Sequence, residues 1–430
     1  MQSQSPRWSP ATRLAFRFCV VYLGLFCLST QIGTAIIALP GMEDPPNINE
    51  FGPLRELTFW VGAHVFDARL PLVYSGSGSG DKVFDWAWMI CVLVFSLIAT
   101  GVWSLLDRRR AAYVKLFIWF RLFIRFALAG QLIVYGLMKV IPLQMPFPYL
   151  GRLIEPYGQF SPMGVLWSSI GSSPAYESFA GAVELFGGML LILPRTTLPG
   201  SLIGLAAMIQ VFALNMTYDV PVKILSFHLI LLSLFLVAPD LRRLAGVLLT
   251  DRVVEPSEHP PLFRSPRANQ WALAAQVLLG LWLMGTQFYG DRSLWRAFGP
   301  DRPKSPLYGI WNVEETVTNG AVRPPLATDR SRWRRIAFDR PGLAFVLKTD
   351  DAFVRYAATI HAKEGTIVFM PSGGASSGTT VTYQRDKDVL TLDGMMDGGN
   401  IHMKLRLFDH TRLPLVSRGF RWVQDYPFNH

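Results

Sequence analysis

The chain has 430 residues, of which half are hydrophobic and only 17% are charged, and its formal net charge at pH 7 is +10. Soluble enzymes carry about 25% charged residues, so this composition argues against one. Lysine and arginine cluster in short segments between apolar runs and form no basic stripe with exposed aromatics, which argues against a nucleic-acid partner. The three cysteines, Cys19, Cys27 and Cys91, lie in apolar runs and are expected to be buried rather than redox-active or disulfide-bonded.

Seven apolar runs of about 20 residues, the length that crosses ~30 Å of hydrocarbon, recur in the first two-thirds of the chain. They predict a polytopic α-helical membrane protein. The predicted spans cover residues 14–39, 86–106, 116–141, 177–193, 198–215, 221–238 and 271–289. The arginines before the first run also suit a signal peptide, but the run is long for one and no convincing cleavage site follows, so we expect it to be retained.

The positions of the basic residues predict the orientation of these spans. With alternating spans, one side receives Arg7, Arg13, Arg17, residues 108–115, Arg195 and residues 242–267. The positive-inside rule makes this side cytoplasmic. The other side receives the loops 40–85 and 142–176 and everything after the seventh span. We therefore predict a bacterial inner-membrane protein with a cytoplasmic N-terminus and a periplasmic, or otherwise extracytoplasmic, C-terminal domain.

Charged residues inside the third and fourth spans are the first candidates for a functional site, because ionisable groups at membrane depth face the protein interior. Arg121, Arg125, Tyr135 and Lys139 lie on one face of the third span. Alternatively, the three basic side chains extend to the two membrane interfaces. Glu177 and Glu184 share a glycine-lined face of the fourth. Lys139 is the natural partner of Glu184, and Arg125 is the alternative. Such a pair is either structural or handles protons or a ligand.

The short link between the fifth and sixth spans carries further polar residues. Asn215, Tyr218, Asp219 and Lys223 crowd this link. Capping of the sixth helix explains Asp219. Alternatively, these residues join Lys139, Glu177 and Glu184 in one outward-facing group, the outer polar cluster. His228 lies about a turn deeper and is expected to be a buried hydrogen-bonding group, since no second His or Cys stands at metal-ligand spacing.

Several motifs in residues 125–244 resemble those of the DoxX family of small four-helix bacterial membrane proteins. They are the Arg…Gly-x-x-Lys pattern of residues 125–139, Glu-Leu-Phe-Gly-Gly at 184–188, Arg195 and Pro-Asp-Leu-Arg-Arg-Leu at 239–244. The resemblance covers less than a third of the chain and implies a four-helix core formed by spans three to six. It also suggests a loose association with membrane redox chemistry. The chain departs from the family by adding two spans before this core, one after it and a soluble domain.

After residue 306 the apolar residues recur with period two, as in Ile401, Met403, Leu405 and Leu407, which indicates strands with one face on a core. The predicted strands cover residues 309–318, 333–339, 343–349, 352–361, 366–370, 379–385, 389–394, 401–408 and 419–423. Strands this short and closely spaced predict a small, closed, all-β antiparallel barrel. It either holds one small apolar ligand or is filled by its own side chains.

Gly309-Ile-Trp311 opens the first strand and resembles the Gly-x-Trp opening of lipocalin-like barrels. The resemblance implies that Trp311 is structural and that Arg418 or Arg421, near the last strand, stacks on it to close the barrel. The chain then divides into four regions: an N-terminal two-helix region with its outer loop (1–112), a DoxX-like domain (113–250), a connector with the seventh span (251–305), and an extracytoplasmic lipocalin-like barrel (306–430).

Three functions follow from this organisation. The favoured one is a non-enzymatic scaffold or binding protein in the lipid bilayer, whose outer polar cluster and barrel bind a lipid, a quinone, or another membrane or periplasmic protein. The alternative is a component of a quinone-linked membrane oxidoreductase in which Lys139, Glu184 and Asp219 move protons. Small-solute transport ranks last, because no internal repeat is evident. The sequence contains no nucleotide-, haem- or metal-binding motif, so it indicates no cofactor. A quinone site needs none of these motifs, which keeps the quinone-linked alternative open.

Overall fold

The computed structural model of the chain describes residues 7–33, 47–250, 253–254, 260–371 and 378–429. The chain divides into two compact units. The helical unit comprises Met1–Gln144 and Ala175–Ser293, and the barrel unit comprises Met145–Pro174 and Leu294–His430. Residues 145–174, which connect the third and fourth predicted spans, thus lie with the barrel rather than with the rest of the region 113–250.

The described α-helices are numbered here in chain order. They are α1 (Pro10–Ser29), α2 (Gly52–Val65), α3 (Val83–Leu106), α4 (Val114–Val140), α5 (Leu150–Ile154), α6 (Pro162–Gly171), α7 (Pro174–Ile192), α8 (Thr197–Thr217), α9 (Lys223–Val237), α10 (Leu241–Leu249), α11 (Pro266–Phe298) and α12 (Pro414–Ser417). Of these, α5, α6 and α12 belong to the barrel unit.

Seven helical segments in the described residues are long and apolar enough to cross a membrane, as the sequence predicts. They are α1, α3, α4, α7, α8, α9 with its continuation α10, and α11. The end of the first predicted run, residues 34–39, lies outside the described residues. Helix α1 begins before that run because the Ser9 side chain accepts a hydrogen bond from the Thr12 backbone N–H and Pro10 suits the first turn.

Helix α4 is the central helix of the helical unit. In the most apolar 18-residue stretch of α4, 61% is buried, whereas the corresponding stretches of α3 and α11 are each 17% buried. Ile124, Leu128 and Leu132 of α4 are fully buried in a core shared with residues of α1, α3 and α9. Arg125 and Lys139 of α4 are buried and therefore lie inside protein rather than in lipid, which is where polar groups at membrane depth are tolerated.

The barrel unit contains one antiparallel sheet of nine strands. They are β1 (Gly309–Thr318), β2 (Ala321–Val322), β3 (Trp333–Phe338), β4 (Gly342–Lys348), β5 (Phe353–His361), β6 (Thr366–Pro371), β7 (Thr379–Asp386), β8 (Val389–Met396) and β9 (Gly399–Phe408). Strand β1 pairs with β9, and the short β2 pairs with β1 alone, so eight strands close a barrel. This confirms the predicted closed antiparallel barrel.

Two tight turns show why these hairpins form where the sequence places them. Asn319 and Gly320 between β1 and β2, and Asp397 and Gly398 between β8 and β9, all have positive φ. A two-residue turn with both central residues at positive φ matches the twist of the paired strands. Asn or Asp followed by Gly is the sequence that adopts this conformation most easily.

The chain leaves the sheet after Phe408, so the predicted strand at 419–423 is wrong. The described residues beyond it contain a 3-10 turn at His410–Arg412 and the single-turn helix α12. Phe420, Trp422 and Val423 are exposed. Because β9 already pairs with β1, the barrel is closed without this segment.

Helix α5 packs on the outside of the barrel, against β3 and β4. Leu150 and Ile154 are buried there, and the Tyr149 ring lies 5.0 Å from that of Phe345. Gly151 sits so close to the Phe345 ring that a Cβ atom would overlap it. The connection between the third and fourth spans is therefore an integral part of the barrel unit.

Candidate functional site

Lys139 of α4 and Glu184 of α7 form a buried ion pair, as the sequence predicts. The Lys139 Nζ lies 2.6 Å from Glu184 Oε1 and 2.7 Å from Oε2. The two residues are 8% and 3% exposed. Both carboxylate oxygens therefore receive a charge-assisted hydrogen bond, the arrangement that offsets the desolvation of a buried pair.

Glycines on the facing surfaces of α4 and α7 make this pair possible. A Cβ atom at Gly181 would lie 2.5 Å from the Lys139 Cβ and 2.6 Å from the Gly136 carbonyl oxygen. A Cβ at Gly136 would lie 2.6 Å from the Leu185 backbone nitrogen. The two backbones approach closely because small residues line the contact, as is common between membrane helices.

A polar network continues along α4 from Lys139. The Gln31 side-chain amide donates to the Tyr135 hydroxyl at 2.9 Å and to Gln131 Oε1 at 3.0 Å. Tyr135 is also in cation–π range of Lys139, with 6.0 Å from Nζ to the ring centroid. Glu177 lies on the same helix as Glu184 and is fully buried. The polar side chains in this part of the outer polar cluster thus bind mainly to one another and to Gln31.

Asp81, rather than Asp219, caps the sixth span. The Asp81 carboxylate accepts hydrogen bonds from the backbone N–H groups of Lys223 and Ile224, at 2.8 and 2.9 Å. Asp219 is exposed, has a φ of +52°, and pairs with the Lys223 side chain at 3.1 Å. Asp tolerates positive φ better than most residues, which accounts for Asp219 without a capping role. The sequence did not reveal Asp81, because the two residues it caps are more than 140 positions away.

The other predicted residues of this region make local contacts. The Asn215 amide donates to the Ser226 hydroxyl at 3.0 Å, and Tyr218 follows the last residue of α8. His228 Nδ1 lies 2.7 Å from the Ile224 carbonyl oxygen, so it carries the proton, and Nε2 accepts from the Tyr22 hydroxyl at 2.9 Å. His228 is therefore a satisfied buried residue. In the described parts of the chain, no three His, Cys, Asp or Glu side chains are grouped to hold a metal ion.

Arg125 lies in a different place from the outer polar cluster. Fourteen residues separate it from Lys139, about 21 Å along the helix. Its guanidinium donates to the Gln276 side-chain oxygen of α11. The face shared by Arg125, Tyr135 and Lys139 therefore holds two separate polar sites, and Arg125 does not partner Glu184.

The predicted closure of the barrel by Arg418 or Arg421 is corrected by the structure. Trp311 is fully buried and donates from Nε1 to the Leu307 carbonyl oxygen at 2.9 Å, but the guanidinium over its ring, at 5.2 Å, is that of Arg385. Arg418 instead lies 4.2 Å from the Phe428 ring centroid, and Arg421 is exposed. The chain after β9 leaves the sheet, which moves both arginines away from Trp311.

One end of the barrel holds a pocket of about 210 Å³ that we call the barrel mouth. Its lining residues are Thr316, Thr318, Asn319, Arg323, Ser331, Arg332, Met396, Asp397, Gly398, Gly399, Ile401 and Met403. Arg332 is 2% exposed and Thr316 is 1% exposed. Within the described residues, the hydroxyls of Thr316 and Thr318 have no hydrogen-bond partner. Sequence patterns identified the strands but not this pocket, because its residues come from both ends of the domain sequence.

Arg332 is the buried charge of the barrel mouth. Its Nε donates to the Arg323 carbonyl oxygen at 3.2 Å and its Nη1 approaches the Trp333 carbonyl oxygen at 3.5 Å. Burial lowers the pKa of Arg332, partly opposed by the nearby Asp329 carboxylate, and the group stays charged at neutral pH. Among the residues that the structure describes, no carboxylate lies within 4.0 Å of it, whereas Arg323 pairs with Asp329.

Comparison with known proteins finds one relative of part of the chain. No protein-family profile matches it. An uncharacterized Bacillus subtilis (strain 168) protein, YwoB, is 29% identical over 137 residues, which cover 30% of this chain and 79% of YwoB. No solved structure matches the chain. The similarity thus relates a minor part of the chain to a bacterial protein whose name states no activity.

Proposed function

We propose that the chain is a membrane-anchored binding protein whose barrel mouth binds a small polar ligand. The helical unit is the anchor, and its Lys139–Glu184 pair holds α4 and α7 together. A single observation carries this proposal: the buried Arg332 guanidinium lines a pocket beside two buried hydroxyls that have no partner among the described residues. Buried polar groups are normally satisfied, and unsatisfied ones that line a pocket favour a bound ligand.

The chemistry of the barrel mouth narrows the ligand class. Arg332 and Thr316 favour an acceptor group, above all a carboxylate. Met396, Ile401 and Met403 supply an apolar side. The exposed Asp397 carboxylate also lines the pocket, which disfavours multiply charged anions. A volume of about 210 Å³ is smaller than the ~300–1,000 Å³ typical of drug-sized ligands. These features favour a monocarboxylate with a short apolar chain, such as a small lipid-derived acid.

The packing of the barrel interior supports a site at the mouth rather than at the centre. Trp311, Trp333, Phe338 and Phe369 are among the largest fully buried side chains and lie in one core cluster. Eight-stranded barrels of this kind either hold a ligand or are filled by their own side chains. The filled core disfavours a long acyl chain or a quinone ring in the centre.

The composition of the barrel unit supports the proposed membrane topology. The barrel unit has two segments: residues 145–174, which follow the third span, and residues 294–430, which follow the seventh. Spans four to seven lie between the two segments. An even number of crossings returns the chain to the same side of a membrane, in agreement with both segments belonging to one unit. With the positive-inside rule, we place that side outside the cytoplasm of a bacterial inner membrane.

A cysteine replacing Lys363, in the exposed turn after β5, is expected to react with an impermeant maleimide in intact cells. A cysteine replacing Arg109 is expected not to react; the reverse pattern would contradict this orientation.

The family resemblances enter the proposal as support only. The DoxX-like motifs of spans three to six and the lipocalin-like Gly-x-Trp opening are consistent with a helical anchor joined to a ligand-binding barrel. A quinone-linked oxidoreductase stays a prediction. Lys139 and Glu184 are paired with each other, and Asp219 lies on an exposed link, so their contacts favour packing over proton transfer.

The experiment is a calorimetric titration of the full-length protein in detergent with hexanoate and, as its uncharged counterpart, hexanol. We expect hexanoate to bind and hexanol to bind at least about tenfold more weakly, because a charge-assisted contact contributes about 1.5–3 kcal/mol. Arg332→Gln is expected to remove the preference for hexanoate. Lys404→Gln, on an outward-facing position of β9, is the matched control and should preserve it. Equal affinity of both compounds for the wild type would overturn the proposal. A water-soluble quinone in the same titration tests the alternative ligand class.

Thr316→Val separates binding from folding. Valine has nearly the shape of threonine and removes a buried hydroxyl that has no partner among the described residues. We expect the free protein to be stabilised, by up to about 1 kcal/mol, because an unpaired buried polar group is destabilising. Hexanoate binding is expected to weaken in the same variant. Destabilisation with unchanged hexanoate binding would show that the hydroxyl serves the fold alone.

A further inference from the structure

The helical unit contains a cavity near the end of α4 that begins at Val114. Its volume is about 260 Å³. The lining residues are Phe117, Ile118, Arg121, Leu122, Arg125, Pro194, Thr197, Pro260, Pro261, Leu262, Asn269, Leu273 and Gln276. Two arginines thus share a mostly apolar cavity between α4, α11 and the start of α8. We call it the arginine cavity.

Arg125 is a buried cation in this cavity and has no counter-charge among the residues that the structure describes. It is 6% exposed and lies about 16 Å along α4 from Val114. Its guanidinium donates to Gln276, its Nε has no hydrogen-bond partner, and no described carboxylate lies within ion-pair distance. An isolated charge at such a position is strongly destabilising unless an anion accompanies it.

Arg121 lies one turn before Arg125 on α4, and its positive charge is only weakly compensated by a nearby carboxylate. Its Nη2 lies 3.7 Å from Asp240 Oδ2, and neither its Nε nor its Nη2 makes a hydrogen bond in the described structure. Asp240 already accepts from Arg243 at 2.6 Å. One carboxylate is therefore shared by two guanidinium groups, and Arg125 adds a third positive charge nearby.

We propose that the arginine cavity binds an anionic phosphate group, and specifically the head group of an anionic phospholipid. Guanidinium groups present planar pairs of donors that match phosphate oxygens. The Asn269 and Gln276 amides add polar groups, while Ile118, Leu122 and Leu273 provide apolar walls for an acyl chain. The bound phosphate supplies the counter-charge that Arg125 does not find among the described residues. This site is independent of the barrel mouth and of the Lys139–Glu184 pair.

Native mass spectrometry of the full-length protein tests this binding. The probes are phosphatidylglycerol, which is anionic, and phosphatidylcholine, which is zwitterionic, added at equal concentrations to the protein in detergent. We expect at least about tenfold preferential retention of phosphatidylglycerol, as one charge-assisted contact provides. Arg125→Gln and Arg121→Gln are each expected to remove the preference. Lys115→Gln removes a positive charge from the first turn of α4 outside the cavity lining and should leave it intact.

Two further measurements identify the source of the phosphate. In the Leu273→Trp variant, which fills the apolar side of the cavity, a lipid ligand is expected to bind more weakly, whereas inorganic phosphate is not. Added inorganic phosphate should fail to displace phosphatidylglycerol if the acyl chain contributes to binding. Displacement by phosphate, with binding unaffected by Leu273→Trp, would assign the cavity to a soluble phosphate compound instead. Equal retention of both lipids, or a phosphatidylglycerol preference that survives both arginine substitutions, would overturn the proposal.

Discussion

Breaking the Lys139–Glu184 pair should destabilise the helical unit far more than removing any exposed charge. The carboxylate accepts from the ammonium through both oxygens, at 2.6 and 2.7 Å, and both residues are less than 10% exposed. Lys139→Met leaves an uncompensated buried carboxylate, and Glu184→Met leaves an uncompensated ammonium. Loss of one partner of a buried pair costs about 3–5 kcal/mol.

The double substitution distinguishes an ion-pair effect from a packing effect. Lys139→Met with Glu184→Met removes both charges and keeps similar volumes, so we expect stability near that of the wild type. The coupling between the two sites should be about 3 kcal/mol or more. The assay is SDS-induced unfolding in mixed micelles, followed by circular dichroism. Asp219→Asn is the control, because it removes a charge from an exposed pair, keeps a residue that tolerates positive φ, and should change stability by less than about 1 kcal/mol.

Two results would refute this reasoning. Single substitutions that cost no more than Asp219→Asn would mean that the pair is not buried as described. Additive single effects, with no recovery in the double variant, would mean that Lys139 and Glu184 stabilise the protein through separate contacts.

Further predictions concern packing, capping, barrel closure and pH. Gly181→Ala should destabilise the helical unit by about 1–3 kcal/mol, because its methyl group would overlap the Gly136 backbone of α4; SDS-induced unfolding measures this. In the same assay Asp81→Ala should cost about 0.5–2 kcal/mol by removing the cap of α9, and no effect would contradict the capping role. Arg385→Ala should lower barrel stability by about 0.5–1 kcal/mol, measured by tryptophan fluorescence, while Arg418→Ala should not. Burial alone would raise the pKa of Asp329, but hydrogen bonds from Ser331 and Arg323 lower it below its usual value. The stability that Asp329 contributes is therefore present above about pH 4 and lost as the pH falls further, and Asp329→Asn should remove this dependence.

The sequence predicted the elements well where the pattern is local. Each apolar run of membrane length is a helix in the described residues, and β1 has the predicted bounds Gly309–Thr318. Hydrophobic periodicity reports which face of an element is buried, and the turns with Asn or Asp before Gly report where a hairpin reverses. The Lys139–Glu184 pair was also predictable, because a buried charge at membrane depth needs a partner at a similar depth.

Contacts between residues distant in the chain were not predictable in this way. Asp81 caps α9, Arg385 lies over Trp311, and Gln276 accepts from Arg125, and each contact depends on which elements the fold brings together. Helix α5 was missed because it is a single turn whose apolar residues are buried only against the outside of the barrel. Periodicity over five residues is too short to reveal such a helix.

The most direct test of the proposed function is native mass spectrometry of the full-length protein as purified from membranes. The wild type is expected to carry a small non-covalent ligand that Arg332→Gln loses and Arg125→Gln retains, because Arg332 lies in the barrel mouth and Arg125 in the arginine cavity. Identical small-ligand content in the wild type and Arg332→Gln would contradict a binding function for the barrel mouth.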